Sequence, residues 1–169
     1  MNNKSGLGKF LYFFPRLLLV AIFLGFVALT ALSNFDVIEP LLFPLHAAQG
    51  KIREVSPTIV IGHYPHGSKV RDLKKQGIVV DICLLNPALP QERALIEQLQ
   101  RFAAREGIEV KNFPLSYLNL GSAENRKSVA QIVEFIRQNP GKKMYIHCYL
   151  GRHRVKVVED ELRRLGVIR

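Results

Sequence analysis

KKMYIHCYLGRHRVKVVEDELRR, residues 142–164, decides how this chain is read. The apolar run Met144-Tyr145-Ile146 ends in His147-Cys148 and reads as a strand. A short loop with one glycine follows, and helical periodicity begins near Arg154. Successive backbone N–H groups in such a loop converge, and the helix N-terminus adds positive potential, which together make a cradle for an anion. Gly151 permits close approach of backbone to a ligand. Arg154 offers a planar fork that matches two phosphate oxygens. A thiol at a helix N-terminus among cations ionises readily, and a thiolate held in line with a bound phosphoryl group is a nucleophile. Cys148 occupies that position.

Upstream, short apolar runs alternate with helical patterns. PTIVIG (57–62) is a β-branched strand, and SKVRDLKKQG (68–77) is a helix that stops at Gly77. IVVDICLL (78–85) is continuous enough to be a buried strand. NPALPQERALIEQLQRFAAREG (86–107) has prolines at its start, glycine at its end, and Leu95, Leu99 and Phe102 on one helical face. IEVKNFPLS (108–116) alternates and then breaks at Pro114. SAENRKSVAQIVEFIRQN (122–139) starts at the capping residue Ser122 and carries Val129, Ile132, Val133 and Ile136 at helical spacing. The alternation predicts an α/β domain, residues 52–169, around a mainly parallel central sheet flanked by helices.

His147-Cys148, five residues, then Arg154, with Gly151 three after the cysteine, resembles the HCxxGxxR signature of the cysteine-based protein tyrosine phosphatase superfamily. SPTIVIGHYP, GIVVDICLLN and EGIEVKNFPLS, in that order before a helix and the signature, are similar to the compact dual-specificity-like phosphatases. The likeness spans about residues 55–165. It implies that Cys148 forms a phosphocysteine and that Arg154 binds two phosphate oxygens and stabilises the transition state. It implies that His147 holds the loop, and that the backbone N–H groups of Tyr149, Leu150, Gly151, Arg152, His153 and Arg154 bind the remaining oxygens. It implies no metal and no cofactor. The substrate would be a phosphorylated protein, at tyrosine or at serine and threonine, with an anionic phospholipid as the alternative.

Two positions depart from the family pattern. The residue after the arginine is usually Ser or Thr, which helps the thiolate leave; here it is Val155. The general acid is an Asp some way before the cysteine, but FPLSYLNLGSA (113–123) has no carboxylate. Glu124 is the candidate acid within reach, though a carboxylate in a first helical turn is also simply favoured by the helix dipole. Both departures fit slow turnover or a substrate with a good leaving group. They also fit a catalytically weak phosphate-binding pseudophosphatase.

Cys83, in the strand VVDICLL, is either a core residue or a resolving thiol for Cys148 if their strands are neighbours. His63, Tyr64 and His66 read as a surface turn or as part of the pocket rim. Asp81, among apolar residues, requires hydrogen-bond partners, and the backbone is the expected one.

The N-terminus has a different composition. Residues 1–16 form a basic and aromatic flank with Lys4, Lys9 and Arg16 and the cluster FLYFF (10–14). LLLVAIFLGFVALTALSNF (17–35) is 19 residues without a charge, close to the roughly 20 that cross a bilayer. A cleavable signal peptide is the rival, but its apolar core usually runs only about 7–15 residues. Residues 36–51, with two prolines and a glycine, read as a linker. The chain is thus expected to be a single-pass membrane protein, and the basic flank favours a cytoplasmic N-terminus.

The formal net charge is +10; three of the 24 basic residues and none of the 14 acidic ones lie in the first 35, so the remainder stands at +7. That balance suits anionic partners. No basic-aromatic interleaving points to nucleic acid. Two cysteines support neither a disulfide framework nor a zinc site.

Overall fold

The computed structural model describes residues 5–35, 37 and 52–168. The proposed linker, apart from Val37, lies outside the described residues. Helix α1 (Ser5–Ser33) comes first. Within it, Phe14–Ser33 has a mean hydropathy of 2.2 over 20 residues and none of it is buried. It is long and apolar enough to cross a membrane, a test that a signal sequence also passes. The described part of the basic flank, from Ser5, and the apolar run as far as Ser33, expected as separate segments, are continuous in this one helix.

The domain follows as β1 (Arg53–Ser56), β2 (Ile59–Gly62), α2 (Gly67–Lys75), β3 (Val80–Cys83), α3 (Pro90–Glu106), β4 (Glu109–Asn112), α4 (Ala123–Gln138), β5 (Met144–His147) and α5 (His153–Arg164). The five strands form one sheet in the order β1-β2-β5-β3-β4. All neighbours are parallel except β1, which pairs antiparallel with β2. Its sequence, REVS, shows no apolar alternation, so periodicity gave it no signal. A polar strand is stable at a sheet edge, where one side faces water. Arg53 also ties it down, donating to Glu159 Oε1 of α5 at 2.8 Å and to Oε2 as well.

The alternation of side chains along the inner strands builds two core layers. Ile59, Ile61, Val80, Ile82, Met144 and Ile146 face one side, beneath Ile132 and Ile136 of α4 and Val155, Val158 and Leu162 of α5. Val60, Cys83 and Tyr145 face the other, beneath Val70 and Leu73 of α2 and Leu95, Leu99 and Ala103 of α3. Burying each Leu or Ile contributes about 1.5–3 kcal/mol, so these helical faces hold the sheet on both sides. Strand β5 sits in the middle, covered on both faces, and therefore reads as an unbroken apolar run. In open α/β sheets ligands bind beyond the carboxyl ends of the strands, and the loop after β5 emerges there.

Candidate active site

Residues 148–152 link β5 to the first turn of α5. Gly151 has φ +64, and a Cβ on it would fall 2.5 Å from Gly62 C and 2.6 Å from His63 N. The loop is thus pressed against the end of β2, where only glycine fits in that conformation. Tyr64 fastens it from behind: its N–H donates to Tyr149 O at 3.1 Å, and its hydroxyl donates to Leu95 O at 2.9 Å. Neither His63 nor Tyr64 is part of a surface turn; both are buried. Tyr145 Oη closes the packing by donating to His63 O at 2.5 Å.

Cys148 is 3% exposed and lines a cavity of about 330 Å³ with Glu92, Tyr117, Tyr149, Leu150, His153 and Arg154, among others. Arg154 is buried in the first turn of α5. Its Nη2 donates to Glu92 Oε1 at 2.7 Å and its Nη1 to Glu92 Oε2 at 2.9 Å. Nη1 also reaches the carbonyls of Leu84, at 3.2 Å, and Leu115, at 3.3 Å. Burial acts to lower the guanidinium pKa, but the hydrogen bonds and charge of Glu92 outweigh it and hold the pKa above its ordinary value. Tyr117 lies with its ring centroid 5.9 Å from the guanidinium carbon.

Glu92 escaped the sequence reading because a carboxylate just after a helix-starting proline looks like an ordinary dipole-favoured residue. Only the tertiary contact between α3 and α5 reveals its partner. Its Oε2 also accepts the Asn86 N–H at 2.6 Å, so both oxygens are engaged as acceptors.

His147 is fully buried behind the loop, with Nε2 2.9 Å from Asp81 Oδ1, off the axis of a well-aligned hydrogen bond. Burial alone would lower its pKa; the Asp81 charge, with Cys83 beside it, overrides burial and holds it well above 6.5. Asp81 therefore faces His147, where a backbone partner was expected.

Glu124 is exposed in the first turn of α4 and is not among the cavity-lining residues. Its neighbour Asn125 is the buried one. The Asn125 amide donates to the carbonyls of Ser116, at 2.8 Å, and Asn119, at 2.9 Å, and its Oδ1 accepts the Ser116 N–H. Asn125 thus shapes the loop that carries Tyr117 to the cavity. The strands of Cys83 and Cys148 are neighbours, as the redox reading required. The register, however, sets Cys83 opposite His147, and the two thiols lie in different core layers. Because side chains alternate across a sheet, these sulfurs point to opposite faces, and the resolving-thiol role is not supported. Arg152 and His153 are exposed, and His153 lines the cavity.

Solved structures with the same arrangement decide the fold. One is a putative phosphatase (DUF442) from Shewanella putrefaciens CN-32, with a TM-score of 0.54 at 17% identity over 72% of this chain and 76% of that one. Another is the core catalytic domain of the PP-IP phosphatase SIW14 from S. cerevisiae in complex with citrate, with a TM-score of 0.55 at 18% identity over 70% and 67%. A third is a cysteine-to-serine variant of P. aeruginosa TpbA in complex with pTyr, with a TM-score of 0.52 at 14% identity over 71% and 70%. The fold is that of the cysteine-based phosphatases. No family model and no curated protein matches the chain. Within this phosphatase fold, Cys148 stands at the carboxyl end of the central strand and Arg154 in the first turn of the following helix.

Proposed function

We propose that the protein is a membrane-anchored, cysteine-dependent phosphatase that hydrolyses phosphate monoesters through a phosphocysteine intermediate. The observation that carries this reading is the shared cavity of Cys148 and Arg154, with Arg154 oriented by Glu92 and the Gly151 loop locked on β2. The Cys148 thiolate attacks phosphorus, and the ester oxygen leaves with the bonding pair. Water then attacks the phosphocysteine, releasing inorganic phosphate and restoring the thiolate. The loop N–H groups of residues 149–154 and the remaining edge of the Arg154 guanidinium stabilise the equatorial oxygens. Buried His147, kept positive by Asp81, adds potential behind the thiolate.

Glu124 does not line the cavity, and both oxygens of Glu92 already accept hydrogen bonds. That favours leaving groups able to depart without a proton, so among phosphoproteins phosphotyrosine is the preferred substrate. Phenolate, with a conjugate-acid pKa of about 10, leaves more readily than a serine or threonine alkoxide. The apolar length of Phe14–Ser33 supports the anchor, and the basic flank supports a cytoplasmic N-terminus with the domain across the membrane.

Cys148→Ser tests the reading, since a hydroxyl stays protonated at neutral pH. Release of phosphate from p-nitrophenyl phosphate is expected to vanish with the fold intact, and wild-type turnover in the variant would overturn the mechanism. Arg154→Lys is expected to lose most activity, because an ammonium cannot replace the two-pronged fork.

A further inference from the structure

We infer that the substrate is a membrane lipid carrying a diphosphate, whose terminal phosphoryl group is transferred to Cys148. The inference rests on the phosphocysteine reading above and extends it from esters to an anhydride. Two independent observations converge on it.

The first is where the cavity sits. From Phe14 to Phe35 only Ala31 and Phe35 are part-buried, so among these described residues the chain meets the domain at the C-terminal end of α1. There the Phe35 ring packs on the Tyr149 ring of the active-site loop, with centroids 5.8 Å apart, and Phe35 forms part of the cavity wall. The candidate span ends at Ser33, two residues earlier. At about 1.5 Å per helical residue, that places the cavity mouth within a few ångströms of the bilayer surface. Tyr117 and Leu118, on the loop that borders the mouth, are 50% and 84% exposed, an apolar rim suited to the interface. Exposed His153 lines the same mouth, and exposed Arg152 precedes it in the loop, basic residue types complementary to an anionic headgroup.

The second is the commitment of the cavity's carboxylate. Glu92 Oε1 accepts from Arg154, and Oε2 accepts from Arg154 and the Asn86 N–H. Neither oxygen is placed to hand a proton to a leaving group. A lipid phosphate monoester would have to expel an alkoxide, whose conjugate acid is about as weak as water. A positioned general acid typically contributes about 10²–10⁴-fold to such a step. A diphosphate expels a phosphate monoester instead, whose second pKa is about 6, and needs no proton.

The step balances. The Cys148 sulfur bonds to the terminal phosphorus while the bridging P–O bond breaks. The electron pair stays on the bridging oxygen, which becomes an oxygen of the lipid monophosphate. Water then cleaves the phosphocysteine, giving inorganic phosphate, one proton to solvent and the thiolate.

The test uses the full chain reconstituted in phosphatidylcholine vesicles containing either diacylglycerol diphosphate or phosphatidic acid, two lipids with the same diacylglycerol tail whose terminal phosphoryl group is held by an anhydride in the first and an ester in the second. Parallel arms contain ADP, a phosphotyrosine peptide and p-nitrophenyl phosphate. Phosphate release from the lipid diphosphate is expected to exceed that from phosphatidic acid by about 100-fold or more. It is also expected to fall as the diphosphate is diluted with phosphatidylcholine at constant bulk concentration. Equal rates on the two lipids would overturn the inference, showing that a donor such as Tyr117 or His153 serves as acid. ADP or the peptide turned over faster than the vesicle lipid would overturn it on the membrane side. In both cases hydrolysis of p-nitrophenyl phosphate leaves the phosphocysteine reading standing. No turnover of any substrate, p-nitrophenyl phosphate included, overturns that reading itself.

Discussion

Glu92 grips Arg154 with both carboxylate oxygens, at 2.7 and 2.9 Å, across the interface between the first turns of α3 and α5. The side chains are 8% and 6% exposed. The pair fixes the plane of the guanidinium, because two parallel hydrogen bonds leave it one orientation. Nη1, with three acceptors around it, is committed to the protein, which leaves the opposite edge for phosphate.

Removing Glu92 therefore affects both stability and catalysis. Breaking one partner out of a buried ion pair costs about 3–5 kcal/mol. A guanidinium displaced by an ångström costs about 100-fold in rate. Glu92→Gln, which keeps the shape and loses the charge, is expected to lower kcat/KM for p-nitrophenyl phosphate by about that factor and to lower the denaturation midpoint. A Glu92→Gln enzyme with wild-type kinetics would show that Arg154 needs no such orientation.

The Asp81–His147 pair predicts an alkaline loss of stability. His147 holds its proton more tightly folded than unfolded, so its contribution is full below the unfolded pKa of about 6.5. It is lost as pH rises from there through the folded value, at up to about 1.4 kcal/mol per pH unit. His63 and His66, lowered chiefly by burial, act in the opposite sense and cost stability below about 6.5. Urea unfolding from pH 5 to 9 is expected to show both limbs in the wild type. In Asp81→Asn the alkaline limb should disappear, since burial then leaves His147 neutral; its persistence would assign that limb to another group.

Gly151→Ala is a test of the loop's docking. The new methyl would meet the Gly62 and His63 backbone at 2.5–2.7 Å, and φ +64 adds about 1–2 kcal/mol of strain. The loop must move off β2, taking the anion cradle with it. Turnover is expected to fall by at least about 100-fold while far-ultraviolet circular dichroism stays that of the wild type. Retained phosphate binding by calorimetry in this variant would refute the close approach.

Oxidation should stop at Cys148. The opposite facing of Cys83 and Cys148 predicts that mild peroxide yields sulfenic and then sulfinic acid at Cys148, with Cys83 left as a free thiol. Peptide mapping that finds a Cys83–Cys148 disulfide would mean that β3 or β5 can leave the sheet register.

Val155 is 1% exposed and lies in the same core layer as Cys148. Val155→Ser should speed breakdown of the phosphocysteine and reduce the intermediate trapped in rapid quench, at a stability cost of about 1–3 kcal/mol for the buried hydroxyl. A variant that traps as much phosphoenzyme as the parent would remove the leaving-thiolate explanation.

The alternation of apolar runs and helical stripes was enough, in the sequence alone, to specify an α/β domain with a mainly parallel sheet, since periods of 2 and 3.6 residues are local properties. The loop from Cys148 to Arg154 was legible for the same reason: strand end, glycine and helix start are contiguous in the chain. The strand β1 was not, because its residues carry no apolar alternation and its pairing depends on a neighbour and on Glu159, 106 residues away. The rest of the site was decided by tertiary structure. Glu92 meets Arg154 over a separation of 62 residues, and Asp81 meets His147 only because β3 and β5 are adjacent and in register. Strand order could be guessed from the sequence, but register decides which face each side chain takes, and that register turned Cys83 away from Cys148 and Asp81 toward His147.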